Sequence, residues 1–285
     1  MARKKFSIIK FVKRLYKSLK KYPKYLTKFS KKTFTVAQII TLRTLKEVLN
    51  KSYDSLVDFI EDFPVVSNIL TLKRNPDPST IRKYSKRIGI RRSNNLIAKT
   101  SESKKHNIAI DATGFEDYHA SEHYCKTIQL RYTQRNYVKL SIAINTETQL
   151  ICSQKSRIAP SHDTKDFIPL LKKIRSGRIK IVCADKGYDS KKNRLFVYRN
   201  LNAIPNIPKR KTTGSNYLTK MYDTKTYHQR SKAETVFSVI KKLFGSWVKS
   251  TTITMQRIEL SYKCLAYNIR RQVISSDSYE SGGCP

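Results

Sequence analysis

Two short apolar runs, each ending in an aspartate that precedes a glycine-containing turn, constrain the fold more than any other feature of the chain. The first reads HNIAIDATG over residues 106–114, and the second reads IKIVCADKGYD over residues 179–189. Runs of this length that are rich in Ile and Val predict β-strands, and glycine marks the turn that follows. Each strand would therefore deliver a carboxylate, Asp111 or Asp185, to the end of a sheet.

The segments around these two runs alternate between strand and helix patterns. Strands are predicted at residues 106–111, within 126–158, at 179–184 and at 202–206, and helices at 164–175, 189–199 and 228–245. Strands that come first and then alternate with helices are typical of a mixed sheet covered by helices. The predicted fold class is therefore α/β.

A helical leader precedes this α/β domain. Residues 36–62 carry apolar side chains at helical spacing, and the breaker NPDPST at 75–80 precedes another helical pattern. We predict a helical N-terminal region over residues 1–90, a linker over 91–105, the α/β domain over 106–274 and a disordered tail over 275–285. A DNA-binding helix-turn-helix and a small helical bundle explain the N-terminal pattern equally well.

A third carboxylate lies in a helical pattern near the end of the α/β domain. At roughly 100° per residue, Tyr227, Arg230, Glu234 and Lys241 fall within about 60° of arc on one helix face. A separate apolar stripe within residues 236–247 would anchor the helix. The polar face can hold a metal and a phosphate. The alternative is a solvated face in a Lys-rich helix, and the aligned carboxylate argues against it.

These residues resemble those of a known family. Tyr227, Arg230, Glu234 and Lys241 match the Y-(2)-R-(3)-E-(6)-K signature of the DDE transposases that prokaryotic insertion sequences encode. The segment ADKGYDS at residues 184–190 resembles the surroundings of the second aspartate in that family. The signature is specific, because four residues of different chemistry match at fixed spacing.

The resemblance extends over about residues 106–275 and implies a ribonuclease-H-like mixed sheet of the integrase superfamily. It also implies that Asp111, Asp185 and Glu234 are the catalytic residues and bind two Mg²⁺ ions, with Mn²⁺ as a substitute. In such a site, ions about 3.5 to 4 Å apart activate an attacking oxygen and stabilise the leaving one. The implied reaction is DNA 3′-end cleavage followed by strand transfer.

The resemblance further implies that double-stranded DNA is the partner. Tyr227, Arg230 and Lys241 would contact the DNA of the element ends, and a homodimer or larger synaptic assembly would hold two ends together. Two alternatives remain open. The chain would be a DNA-binding relic without turnover, or a metal-dependent nuclease of the same superfamily that cuts without joining.

Composition agrees with a polyanionic partner. Lys and Arg number 58 against 21 Asp and Glu, which gives a formal net charge of +37 and attracts phosphate backbones. Five cysteines without paired spacing suit a reducing compartment. No run approaches the roughly 18 apolar residues of a membrane span. We therefore expect a cytoplasmic, nucleoid-associated protein with no membrane partner.

Other acids lie close to the candidate triad in the sequence. They are Glu116, Asp117, Asp163, Asp166 and Asp189. None combines a strand-end position with the spacing of the family pattern, so we rank them below the triad. Asp163 and Asp189 precede predicted helices and are expected to cap them.

Overall fold

The computed structural model describes residues 6–101, 105–117, 137–158, 162–174, 177–210, 219 and 222–280. Internal contacts divide the chain into two compact units. The helical unit comprises Met1–Ser93 with Ser261–Pro285, and the sheet unit comprises Asn94–Leu260. Within the described ranges, no helix is both long and apolar enough to cross a membrane.

Among the residues that the structure describes, five helices precede the sheet. They are α1 (Ile8–Ser18), α2 (Val36–Leu49), α3 (Tyr53–Asp62), α4 (Pro64–Ile69) and α5 (Pro78–Thr100). Helix α1 buries one stripe, formed by Phe11, Val12 and Leu15, whereas α2 is buried on nearly all sides. A central helix enclosed by others is the arrangement of a small bundle. The prediction of a helical N-terminal region is confirmed.

Helix α5 occupies most of the stretch for which the sequence predicts a linker. Leu96 and Ile97 are buried and anchor this part of the helix, although the surrounding Ser, Asn and Lys residues give the stretch a polar composition. The helix is interrupted at Gly89, whose φ of 68° and ψ of 169° lie in a region that only glycine adopts readily. The predicted linker over 91–105 is therefore helical up to Thr100.

A six-stranded mixed sheet forms the centre of the sheet unit. Its strands are β1 (His106–Asp117), β2 (Tyr137–Asn145), β3 (Ile151–Ile158), β4 (Ile179–Ala184), β5 (Ile204–Asn206) and β6 (Trp247–Val248). The order is β3-β2-β1-β4-β5, with β6 also paired to β1. β2 is antiparallel to β1 and to β3, whereas β4 and β6 run parallel to β1 and β5 runs parallel to β4.

Helices flank this sheet. They are α6 (Thr164–Leu171), α7 (Lys191–Leu195), which continues as a π-helical turn, α8 (Thr224–Tyr227) and α9 (Ser231–Phe244). Phe167 and Leu170 of α6 are fully buried in one apolar cluster with Ile108 of β1 and Val182 of β4. Burial on this scale explains why β4 reads as a nearly continuous apolar run. The predicted α/β class, a mixed sheet flanked by helices, is confirmed.

The last helix, α10 (Ile253–Glu280), differs from the prediction at its C-terminal end. The sequence predicts that the α/β domain runs to residue 274, yet the chain from Ser261 onward belongs to the helical unit. There the Tyr262 ring lies 5.1 Å from the buried guanidinium of Arg43, and Arg14 donates a hydrogen bond to Ser276 over 3.3 Å. Residues 275–280 of the predicted disordered tail are helical, and residues 281–285 lie outside the described part.

Candidate active site

The register of the sheet brings the two predicted aspartates to adjacent positions. Strands β1 and β4 run parallel, and Ile110 pairs with Ala184 as their last partners. The next residue along each chain is Asp111 on one side and Asp185 on the other. Because neighbouring strands lie about 4.8 Å apart, the two aspartates leave the end of this ladder side by side.

Asp111 lies within its strand, whereas the sequence predicts that it ends the strand. Strand β1 continues because β2 stays paired with it as far as Glu116, and β6 also pairs with its last residues, starting at Glu116 opposite Trp247. Strand β4, in contrast, pairs with β1 only as far as Ile110. The sheet therefore has an opening along β1 between β4 and β6, and the Asp111 side chain, 19% exposed, lies at the start of this opening.

The signature helix consists of three consecutive segments. Helix α8 ends at Tyr227, a 3₁₀ turn covers His228–Arg230, and α9 begins at Ser231. The residues at both junctions keep right-handed helical dihedrals, so the chain continues as one irregular helix. The predicted common face is present for Arg230 and Glu234, whose side chains meet.

Arg230 joins carboxylates from two different elements. Its Nη1 donates to Oδ2 of Asp111 over 3.4 Å, and its Nη2 donates to Oε1 of Glu234 over 2.5 Å. The first pair is largely shielded, whereas Glu234 is 55% exposed and its pair is screened by solvent. The guanidinium thus holds β1 and α9 together at their acidic residues.

The pKa of Asp111 differs from the ordinary value of an aspartate. Burial raises its pKa to about 6, and the negative charges of Glu234 and Asp185 add to this effect. A backbone hydrogen bond from Ala112 and the charge of Arg230 lower the pKa, but by less in total. Both other members of the candidate triad are therefore within electrostatic reach of Asp111, and one guanidinium does not neutralise the three.

Contacts that the sequence does not reveal fix the start of α9 against the sheet. Gln229 Oε1 accepts hydrogen bonds from Thr146 Oγ1 over 2.8 Å and from Asn107 Nδ2 over 3.3 Å. Lys232 Nζ donates to the carbonyl oxygen of Thr146 over 2.8 Å. These bonds lie on both sides of Arg230 in the sequence and orient its guanidinium. Spacing within the helix does not indicate them, because their partners are on β1 and after β2.

Lys241 lies against β1, further along the strand from Asp111. Its Nζ donates to Oγ1 of Thr113 over 2.9 Å and lies 5.4 Å from the centre of the Phe115 ring. Asp111, Thr113 and Phe115 share one face of β1, since alternate residues of a strand point the same way. Helix α9 therefore crosses the face of the sheet that carries Asp111.

Tyr227 lies at the opposite end of the signature. Its ring is 5.4 Å from that of Tyr222, centre to centre. Burial raises the pKa of Tyr227, while the charge of Arg230 and a hydrogen bond with it lower that pKa. Tyr227 thus contacts the same guanidinium that binds the two carboxylates.

A buried tyrosine, Tyr188, lies close to the acids of the site. Tyr188 is 1% exposed, and its hydroxyl makes no hydrogen bond with any described residue. Burial raises its pKa, followed by the charges of Asp163, Asp111, Asp166 and Asp185, so the phenol lies within reach of four carboxylates. Burying such a hydroxyl costs free energy unless a water molecule or a ligand accepts or donates a hydrogen bond there. Sequence reasoning missed Tyr188, although it lies only three residues after Asp185.

We expect Tyr188→Phe to leave the free energy of unfolding unchanged or to raise it by about 1 kcal/mol, because the substitution removes an unsatisfied buried hydroxyl and keeps the ring. Chemical denaturation of the metal-free protein measures this. Tyr198→Phe, at an exposed tyrosine, is the matched control. A loss of more than about 1 kcal/mol would mean that the hydroxyl already has a partner in the free protein.

Two of the lower-ranked acids have structural partners. Asp166 is fully buried, accepts from Ser141 over 3.1 Å and pairs with Arg157. Asp189 is buried and pairs with Arg194 over 2.8 Å. Ser190 caps α7 in place of Asp189, which corrects the predicted cap.

Asp163 lies closer to the candidate triad than its rank suggests. A Cβ built on Gly187 would lie 3.5 Å from Oδ2 of Asp163 and 3.8 Å from Oδ2 of Asp185, so both carboxylates approach one point. Asp163 pairs with Lys139 and makes no side-chain cap bond to α6, contrary to the predicted cap. Asp163 directly precedes α6, which is distant in the sequence from Asp111 and Glu234. Its position in the sequence therefore does not indicate that it lies near Asp185.

The donor chemistry of the triad fits a hard divalent cation. Asp111, Asp185 and Glu234 offer carboxylate oxygens, which Mg²⁺ prefers. The free hydroxyl of Tyr188 also fits a site that receives a polar ligand. Across the described ranges, however, no three Asp, Glu, His or Cys side chains are clustered tightly enough to form a ready ion site. Arg230 supplies the positive charge between two of the carboxylates.

Comparison with known proteins identifies the family of the chain. The chain matches no curated protein. Its structure is similar to the cryo-EM structure of a piggyBac transposase synaptic complex with hairpin DNA, at a TM-score of 0.46 and 11% sequence identity, over 98% of this chain and 74% of that one. A family model described as the transposase DDE domain matches residues 102–269, which is more than half of the chain. The chain therefore belongs to the transposase DDE domain family.

Proposed function

We propose that the chain is an active transposase that cuts DNA at the 3′ ends of a mobile element and transfers those ends to target DNA. The observation that supports this most strongly is that the sheet register places Asp185 beside Asp111 and that Arg230 joins Glu234 to Asp111, within a domain of the transposase DDE family. Burial, with a further contribution from the neighbouring acids, raises the pKa of Asp111 to about 6, and keeping this carboxylate ionised costs stability in the free protein. Such a cost is typical of a functional site.

Asp111, Asp185 and Glu234 are the proposed catalytic residues and would hold two Mg²⁺ ions, or Mn²⁺ ions in their place. When bound, the ions supply Lewis-acid stabilisation of the charge on the attacking and leaving oxygens of an in-line displacement at phosphorus. Asp111 is the acid that the structure links to both others, since it lies beside Asp185 in the sheet and is joined to Glu234 through Arg230. Water is the nucleophile for cleavage, and the freed 3′-hydroxyl of the element is the nucleophile for joining.

Arg230, Lys241 and Tyr227 are the proposed contacts to DNA of the element ends. Arg230 pairs with Asp111 and Glu234 in the free protein, so its guanidinium becomes available to a phosphate once another cation takes its place beside these carboxylates. Lys241 is partly exposed, and its ammonium group acts as a point charge toward a phosphate of the same DNA strand. Tyr227 stacks on a base or binds a phosphate.

Joining two element ends to one target requires that both ends be held at once, so we expect a homodimer or larger assembly on double-stranded DNA. A location in the cytoplasm, with access to the nucleoid, would bring the chain to this DNA. The formal charge of +37 provides attraction for DNA that weakens as salt is added.

Metal-dependent cleavage and joining of labelled DNA that carries the ends of the encoding element tests this proposal. We expect nicked and joined products with Mg²⁺ or Mn²⁺ and no products with EDTA. Cleavage without joining would favour a nuclease of the same superfamily. Binding of the ends with neither product under either metal would favour a DNA-binding relic.

A further inference from the structure

A concave groove in the helical unit lies apart from the carboxylates in sequence and carries no assigned role. Its volume is about 720 Å³, and its walls come from the loop between α1 and α2, the loop before α5, and α5 itself. A volume of this size is typical of ligand sites in proteins. The groove is large enough to take more than a single ion.

Positive charge dominates the lining of the groove. Lys31, Arg74, Lys83, Arg87 and Arg92 line it, and all five are exposed, whereas none of the lining residues is acidic. Cations brought together without acids repel one another, so this arrangement favours an anion that bridges several of them. Among biological ligands, a phosphate backbone supplies such a row of charges.

The break in α5 is what brings the arginines of this helix to one groove. In a continuous helix Arg87 and Arg92 would point about 140° apart, because each residue turns the helix by roughly 100°. Gly89 interrupts the helix between them with a φ of 68°. Both arginines consequently line the same cavity.

Aromatic rings complete the groove. Phe29 is 86% exposed, an unusual state for a large apolar side chain, and the Lys28 ammonium lies 4.9 Å from its ring centre. Phe34 and Tyr84 also line the cavity, with the guanidinium of Arg74 5.9 Å from the Phe34 ring centre. Basic grooves that contain exposed rings bind single strands, because each unpaired base can stack on a ring.

We propose that this groove binds single-stranded nucleic acid, with phosphates on Lys83, Arg87 and Arg92 and an unpaired base on Phe29. A duplex is usually bound by an element that projects into a DNA groove about 12 Å wide, whereas these cations line a concave wall. The inference goes beyond the proposed function and needs none of the carboxylates of the sheet unit. It also differs from a helix-turn-helix reading of this region.

Fluorescence anisotropy of the full chain with a labelled oligothymidine of about 12 nucleotides tests the proposal. The experiment is run in EDTA, so that no cleavage occurs, and over a series of salt concentrations. Two double variants remove the same charge from the same helix. One carries Lys83→Gln and Arg87→Gln in the groove; the other carries Arg82→Gln and Lys86→Gln, exposed residues that do not line it.

We expect the groove variant to lose about tenfold or more in affinity and to lower the salt slope by about 1.4, since each phosphate contact on a single strand contributes about 0.7. The double variant with Arg82→Gln and Lys86→Gln should change affinity by less than about threefold. Phe29→Ala should weaken binding about fivefold or more without changing the salt slope. Unlabelled duplex of equal length should compete less well than the single strand.

Equal losses in the two double variants would overturn the proposal, because general surface charge would then account for binding. Equal competition by the duplex would overturn it as well. Neither result bears on cleavage and joining by the sheet unit, so failure of this inference is distinguishable from failure of the proposed function. Thermal unfolding of each variant verifies that the groove residues were changed in a folded chain.

Discussion

Glu234→Gln should abolish both cleavage and joining while the protein still folds and binds DNA. The substitution keeps the size and hydrogen-bonding ability of the side chain and removes its charge. Substitution of a residue that contacts a metal ligand typically lowers metal affinity or activity by about 10- to 100-fold, so substitution of Glu234, a proposed direct ligand, should lower activity by more than about 100-fold. Glu234 is 55% exposed, so we expect the free energy of unfolding to change by less than about 0.5 kcal/mol.

Glu147→Gln is the matched control, because Glu147 is exposed in the turn between β2 and β3. It should retain wild-type rates of cleavage and joining. The assay uses labelled element ends under Mg²⁺ and under Mn²⁺, with end binding measured separately in EDTA. Activity that survives in Glu234→Gln would show that another acid completes the site, and Asp163 would then be the first to examine.

Asp111→Asn should inactivate the protein and, in the absence of metal, make it more stable at neutral pH. Burial raises the pKa of Asp111 from 3.8 to about 6, with further contributions from Glu234 and Asp185. The folded state therefore favours the neutral acid, and asparagine resembles that acid in shape. A pKa shift of this size corresponds to about 2 to 3 kcal/mol of unfolding free energy at pH 8.

The pH dependence follows from the sign of the shift. Because the pKa is higher in the folded than in the unfolded chain, protonation of Asp111 stabilises the fold. This contribution is fully present below pH 3.8 and is lost as the pH rises through about 6. The difference in stability between Asp111→Asn and wild type should thus be small near pH 4 and reach its full size above pH 7.

Denaturant unfolding in EDTA between pH 4 and pH 8 measures this difference. Asp58→Asn, at an exposed position of α3, is the control and should show no comparable trend. Added Mg²⁺ should stabilise the wild type by mass action and have little effect on Asp111→Asn. Asp111→Asn could instead be less stable than the wild type at pH 8, or be stabilised as much as the wild type by Mg²⁺. Either result would contradict the interpretation that ionised Asp111 destabilises the metal-free protein and binds the metal.

Much of the candidate site could be predicted from the sequence because its residues lie in locally ordered patterns. Asp111 and Asp185 end apolar runs, and Arg230 and Glu234 are one helical turn apart. Local periodicity determines such relations without knowledge of the rest of the chain. The same reasoning failed for residues 91–100, where the polar composition concealed a helix anchored by two buried residues.

The sequence by itself determined the α/β class, the helical leader and the identity of the acids and cations, because periodicity and side-chain chemistry are local properties. Only the tertiary structure decided that β1 runs past Asp111, that Asp163 and Tyr188 approach the same carboxylates, and that Arg230 pairs with two of them. It likewise decided that the helix break at Gly89 places Arg87 and Arg92 along the wall of one groove. These features depend on strand register, on the geometry of one glycine and on contacts between distant segments, and no local pattern encodes such long-range pairings.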